Sequence, residues 1–239
     1  MTRTDTPPPE VSPPSEVSAP PKVTEELRAF LLTQWERALP NQQPMGEDLI
    51  RRYSEPHRIY HNTTHLASVL RHVEELADDQ DLYLVRLGAW FHDAVYAVPP
   101  LQVTNEEASA RLAFRSLSRA GLEQEDLNEV ARLVRVTATH TPGARDPEGE
   151  LLCDADLAIL GAPPEEYEAY TRAIRAEYAA VSEPEFLEGR FEIMSALLDT
   201  DIFRTGKARH LVDQARANVA AECQHLEEQL DRLAEEMSR

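Results

Sequence analysis

Cysteine is nearly absent from this chain. Cys153 and Cys223 are the only two in 239 residues. That is too few for a disulfide framework, neither sits at a metal-ligand spacing, and a reducing cytoplasm is the expected setting. Glycine is scarce, with 8 residues, which argues against a sandwich or barrel built on tight turns. Lysine is rarer still: Lys22 and Lys207 stand alone among basic residues that are otherwise arginine. The formal net charge of −19 argues against wrapping a nucleic-acid polymer or an anionic membrane by general electrostatics. No apolar run approaches membrane-spanning length, and the first residues lack the apolar core of a signal peptide.

What the chain has in quantity is alanine, leucine, arginine and glutamate, the composition of helices. An all-α bundle of about seven to ten helices is expected. Residues 1–22 are rich in proline, serine and threonine with few large apolar side chains, and read as a disordered tail. Thr24 caps a helix whose face carries Leu27, Phe30, Leu31 and Trp35, and a short helix covers Glu47 to Tyr53. Asn62 or Thr63 caps the next, striped by Leu66, Val69, Leu70, Val73 and Leu76, and Asp81 opens one that ends on Trp90-Phe91-His92-Asp93. Thr104 or Asn105 caps a helix that Gly121 stops. Another runs from about Glu125 to Thr139, ahead of a polar loop over Thr141 to Gly149. Leu151 to Leu160 is apolar except for Asp154 and Asp156. Periodicity does not separate strand from helix there, and the helical context favours helix. Pro164 and Ser182 start two more helices. From about Lys207 to Met237 a long amphipathic helix is predicted. Its heptad-like spacing suits a solvent-exposed tail helix or a homodimeric coiled coil equally. The domain plan is a tail to residue 22, a domain over 23–205, and this C-terminal helix over 206–239.

The chemistry gathers around His92-Asp93. Burying two polar, metal-competent side chains at the end of an apolar run is costly without partners. Partners stand on both sides. Upstream is Tyr60-His61-Asn62-Thr63-Thr64-His65; downstream are Glu106, His140, Asp154 and Asp156. Imidazole and carboxylate suit divalent first-row ions.

These residues resemble the HD-domain superfamily of metal-dependent phosphohydrolases, over roughly residues 24–205. Four stretches resemble a bacterial subgroup of predicted HD phosphohydrolases: Tyr60-His61-Asn62-x-x-His65, Phe91-His92-Asp93-x-x-Tyr96, Asn105-Glu106-x-x-Ser109-Ala110, and Asp154-Ala155-Asp156-Leu157-x-x-Leu160-Gly161. The first is also similar to the start of the cyclic-nucleotide phosphodiesterase catalytic domain, where the leading histidine donates a proton and the second binds metal. The resemblance implies His65, His92, Asp93 and Asp156 as metal ligands, with Asp154 the alternative to Asp156. It implies His61 as general acid or phosphate contact. His140 is either a partner of the helix dipole or a ligand to a second metal. Glu106 either pairs with a helix N-terminus or supports the activation of water. Arg58 either clamps a phosphate or lies on the surface. Arg175, Glu177, Tyr178 and Arg190 fit the subgroup pattern, and an interhelical ion-pair network explains them equally. His57, His210 and His225 read as surface residues, and His72 has no assigned role. The implied protein is a cytoplasmic enzyme. It uses a divalent ion (manganese, magnesium, cobalt, iron, nickel or zinc) to hydrolyse a small phosphoester such as a nucleotide or related metabolite. The alternatives are an HD-fold di-iron oxygenase, with His61 and His140 as extra ligands, and a non-catalytic nucleotide sensor.

Overall fold

A computed structural model describes residues 23–78, 81–100 and 102–238. The tail expected over residues 1–22 lies outside them. The described chain is all-α, with no strand among the described residues. The α-helices are α1 (Glu25–Ala38), α2 (Gln43–Tyr53), α3 (Thr63–Leu76), α4 (Tyr83–Phe91), α5 (Asn105–Ala120), α6 (Gln124–Val136), α7 (Pro147–Asp156), α8 (Pro164–Glu177), α9 (Glu183–Leu198) and α10 (Val212–Met237). Short 3-10 segments cover Leu157–Gly161 and Lys207–Leu211. No described helix is long and apolar enough to cross a membrane.

The caps explain most boundaries. The Thr24 hydroxyl accepts from the Leu27 N–H, Asn62 from Thr64 and Thr104 from Glu107, so Asn62 and Thr104 are the caps at the two sites where the sequence offers a choice. Asp81 sets up α4 by accepting from the Tyr83 N–H. Gly121 ends α5 at φ 89°, a conformation in which any Cβ is strained. Four predicted boundaries move. The helix expected to reach Thr139 ends at Val136. The second helix starts four residues early, at Gln43, because Pro44 suits its first turn. The loop expected over 141–149 gives up its end to α7, because Asp146 caps Pro147 by accepting from the Gly149 N–H. The long last helix begins with the separate 3-10 turn before Val212.

The core joins the first four helices. Trp35 of α1 meets the Trp90 ring edge-on at 5.2 Å and Phe91 at 6.4 Å. All three are essentially fully buried, as are Tyr53, Leu66 and Leu87. At about 1.5–3 kcal/mol for each large apolar side chain removed from water, this packing anchors the end of α4 and hence His92 and Asp93. Gly46 permits it: a Cβ there would lie 2.4 Å from the Trp35 ring. Helices α3, α4 and α7 pack on one another behind the site, and α5 pairs with α6.

The C-terminal helix packs on the rest of the chain. Ala215, Val219, Cys223 and Leu226 of α10 are buried in this chain, and α10 lies against α9. Asn218 donates from its amide to the carbonyls of Leu160 and Ala162, both at 2.8 Å. The first half of the heptad-like stripe is therefore used within the chain, because α9 covers it.

Candidate metal centre

Four side chains converge from three helix ends. His65 stands in the first turn of α3, where the Asn62 cap fixes the start of the helix. His92 and Asp93 follow the last turn of α4, and Asp156 is the last residue of α7. His65 Nε2 lies 3.0 Å from His92 Nε2, 3.2 Å from Asp156 Oδ1 and 3.6 Å from Asp93 Oδ2. His92 Nε2 lies 3.1 Å from Asp93 Oδ2 and 3.6 Å from Asp156 Oδ1. Neighbouring ligands of a single ion, each about 2.1 Å from it, stand about 3.0 Å apart in an octahedron and about 3.4 Å in a tetrahedron. Three of these five separations fall in that range, and the two at 3.6 Å lie just beyond it. His65, His92 and Asp93 can hold a metal ion, all three being buried with their ligand atoms within 4.8 Å of one another. His92 Nδ1 faces the Ala89 carbonyl at 2.8 Å. Donating there leaves Nε2 with its lone pair toward the centre, the arrangement that orients a ligating imidazole.

The electrostatics call for positive charge at this point. Burial would push His92 down, but Asp93, Asp156 and the Ala89 carbonyl outweigh it and raise it to about 9. His65 is also raised, against burial, by its hydrogen bonds to the same two carboxylates. Asp93 and Asp156 are held well below the usual carboxylate range although burial opposes it, chiefly by the His92 charge and then by the neighbouring histidines. A donor set of two imidazoles and two ionised carboxylates fits a divalent cation, which takes the place of the protons that the rings otherwise attract.

Asp93 is also held by its backbone. The Tyr53 hydroxyl accepts from its N–H at 3.1 Å, and Arg58 Nη1 donates to its carbonyl at 2.7 Å. Arg58 donates further to the carbonyls of His61 and Ala94 and pairs with Glu55. This corrects both expectations for Arg58. It is fully buried, absent from the cavity wall, and ties the segment before α3 to the segment after α4. His57 is exposed, as the sequence leads one to expect, and its Nε2 meets the Tyr96 carbonyl at 2.9 Å. Asn105 exchanges two hydrogen bonds with the backbone of Ala97, and Ser109 exchanges two with that of Val95. Those α5 side chains act in place of a neighbouring strand for residues 95–97, which explains their spacing. Glu106, next to Asn105, is partly buried and lines the cavity.

Asp154 and Asp156 face different ways, as a two-residue step on a helix requires. Asp154 is fully buried and accepts from the backbone N–H groups of Arg204 and Thr205. It fastens the chain after α9 and is not part of the cluster. Asp156 divides its oxygens: Oδ1 faces His65 and His92, while Oδ2 meets His140 Nε2 at 3.0 Å. His140 has φ 49°, in the left-handed region, and Arg204 donates to its carbonyl at 3.1 Å.

A cavity of about 410 Å³ opens beside the cluster, lined by His61, Asp93, Glu106, His140 and Asp156 among others. His61 stacks on Tyr96 at 4.3 Å, and its Nδ1 meets Glu177 Oε1 at 2.5 Å. The other Glu177 oxygen accepts from the N–H groups of Tyr60 and His61. Burial would raise the Glu177 carboxyl, but His61 and these two N–H groups hold it below the usual range. The sequence pattern offered Glu177 as one member of an ion-pair network; its partner is His61. Arg190 and Glu222 make the interhelical pair, at 2.8 and 3.2 Å, with Arg190 also donating to the Tyr170 hydroxyl. Arg175 bonds Glu183 and the Tyr178 carbonyl.

Comparison with protein-family models, with curated proteins and with solved structures finds no match to this chain.

Proposed function

We propose that this protein is a metal-dependent phosphohydrolase of the HD type, acting on a small phosphoester. The observation that carries the proposal is the buried cluster of His65, His92 and Asp93, with Asp156 Oδ1 3.2 and 3.6 Å from the two imidazoles, beside a cavity whose wall also presents a carboxylate-backed histidine. Those four side chains would hold a divalent ion from the manganese, magnesium, cobalt, iron, nickel and zinc group. When bound, the ion supplies Lewis-acid activation of water and of a phosphoryl oxygen. The protein's own residues do the rest. Glu177 accepts the Nδ1 proton of His61 and fixes the ring against Tyr96, so Nε2 is the proton donor to the departing oxygen. In the reaction a water oxygen bonds to phosphorus, the ester P–O bond breaks, and the alcohol leaves with the proton from His61. The water's proton restores that histidine. Glu106, which lines the cavity, would orient the water.

One observation favours a second ion. Asp156 turns Oδ2 to His140 while Oδ1 serves the cluster, which is how a carboxylate bridges two sites. An iron pair held this way would serve an oxygenase.

The test is phosphate release from a panel of phosphoesters by the purified chain with manganese, cobalt or magnesium. Asp93→Ala and His92→Ala serve as controls, checked for fold by circular dichroism. Activity in the parent and none in folded controls is expected. Equal activity in both controls overturns the proposal, and bound iron with oxygen uptake and no phosphate release replaces it with the oxygenase.

A further inference from the structure

The cavity lining is of two kinds. One is the His–Asp cluster with His61. The other is a set of apolar side chains, Leu157, Ile159, Ile174, Val181, Phe186 and Ile193. On α9, Phe186, Gly189, Arg190 and Ile193 fall at the i, i+3, i+4, i+7 spacing of one face and line the cavity together. Phe186 has two ring contacts: its ring lies 6.0 Å from that of Tyr178, and the Arg175 guanidinium sits 4.6 Å over it. Ile193 is 59 % exposed, one of two large apolar side chains so exposed among the described residues. Gly189 leaves space, since a Cβ built there meets nothing within 4 Å.

The charge of the lining is equally one-sided. Asp93, Asp156, Glu106 and Glu185 line the cavity. Among the described lining residues Arg190 is the one lysine or arginine. Its Nε and one terminal nitrogen are already engaged by Glu222 and Tyr170. A chain of phosphates needs several free donors, which arginine forks or lysines normally supply. This wall offers carboxylates instead. Asp93 and Asp156 serve the ion, which with His61 meets one phosphoryl group; further phosphates would face Glu106 and Glu185, with Arg190 as the one arginine or lysine among the described lining residues.

Building on the phosphohydrolase reading, we propose that the substrate carries a single phosphoryl group on an apolar or aromatic alcohol, and that nucleoside di- and triphosphates are excluded. The phosphoryl group sits at the cluster and His61, and the organic group lies against the apolar lining that includes Ile174 of α8 and Phe186 and Ile193 of α9. Specificity is set by Phe186, Gly189 and Ile193.

The test compares kcat/KM for benzyl phosphate, glycerol 3-phosphate and adenosine triphosphate, using the full chain with manganese. Both monoesters release an alkyl alcohol, so the leaving group does not bias the comparison. Benzyl phosphate is expected to exceed glycerol 3-phosphate at least tenfold, and the triphosphate to be the poorest. Gly189→Leu, which fills the open space, and Ile193→Ser, at an exposed position, each reduce the benzyl-to-glycerol ratio to threefold or less. Preference for the triphosphate, or equal use of the two monoesters, overturns the proposal. No phosphate release from any of the three refutes the hydrolase reading alone. Calorimetry of benzylphosphonate against methylphosphonate on the same manganese-loaded protein then tests the apolar lining. Binding at least tenfold tighter for the benzyl compound, lost in Gly189→Leu, supports it; equal binding or none overturns it.

Discussion

Glu177 and His61 are 116 residues apart in sequence, yet Glu177 Oε1 lies 2.5 Å from His61 Nδ1. The same carboxylate also closes the backbone N–H groups of Tyr60 and His61. One side chain thus holds both the imidazole and the segment that leads into α3. The pair has the form of a histidine kept in one tautomer by an anionic partner, with its second nitrogen left for chemistry.

Glu177→Gln is expected to lower kcat about 10- to 100-fold while leaving bound metal unchanged, because it removes the charge behind His61 without touching the ligands. Steady-state kinetics beside metal analysis checks this, with the acidic and basic limbs of the pH profile as second readout. Loss of metal together with activity would show that Glu177 serves the centre rather than the histidine.

Asp156→Asn and Asp154→Asn separate two carboxylates that look equivalent in sequence. The first is expected to lose metal binding with the fold intact, because its Oδ1 faces both histidines. The second is expected to keep its metal and lose stability by roughly 1–3 kcal/mol, since its carboxylate serves the buried N–H groups of Arg204 and Thr205. Metal stoichiometry and urea midpoints on both variants decide it, and the reverse pattern would refute the assignment of Asp156.

Arg58→Lys retains the charge but not the fork that reaches the carbonyls of His61, Asp93 and Ala94. With the side chain fully buried, leaving carbonyls unpaired should cost roughly 2–4 kcal/mol. A thermal melt within a degree of the parent would show that the fork is dispensable.

Acid should weaken α7 through Asp146. Burial pushes its carboxyl up, but Arg132 and the Gly149 N–H outweigh this and hold it below the usual range. A depressed folded value means that its stabilising share is present above the unfolded value of about 4 and is lost as the pH falls through the folded one. Asp146→Asn should therefore flatten stability between about pH 5 and pH 2 and cost about 1 kcal/mol at neutral pH. Solvent at Arg132, 41 % exposed, keeps the ion-pair share small. Urea midpoints at pH 7 and pH 3 measure both effects, and an unchanged pH slope would exclude Asp146.

The helices were legible because their signals are local. Thr24, Asn62 and Thr104 cap within three residues of themselves, and the stripe of α3 shows its buried face by spacing alone. His65, His92 and Asp93 were legible as costly polar groups beside apolar runs. Local spacing says nothing about side chains that meet across more than a hundred residues, so the bond between Glu177 and His61 could not be read, nor could the burial of Arg58 among three carbonyls. The same limit left Asp154 and Asp156 as rivals until α7 turned one toward Arg204 and the other toward the histidines. It also left the stripe of α10 open to a second chain until α9 covered its first half. Caps and periodicity act over one or two turns of helix. The His–Asp cluster and its charge balance depend on which helix ends the core brings together, and the packing of Trp35 on Trp90 and Phe91 makes that choice for His92 and Asp93.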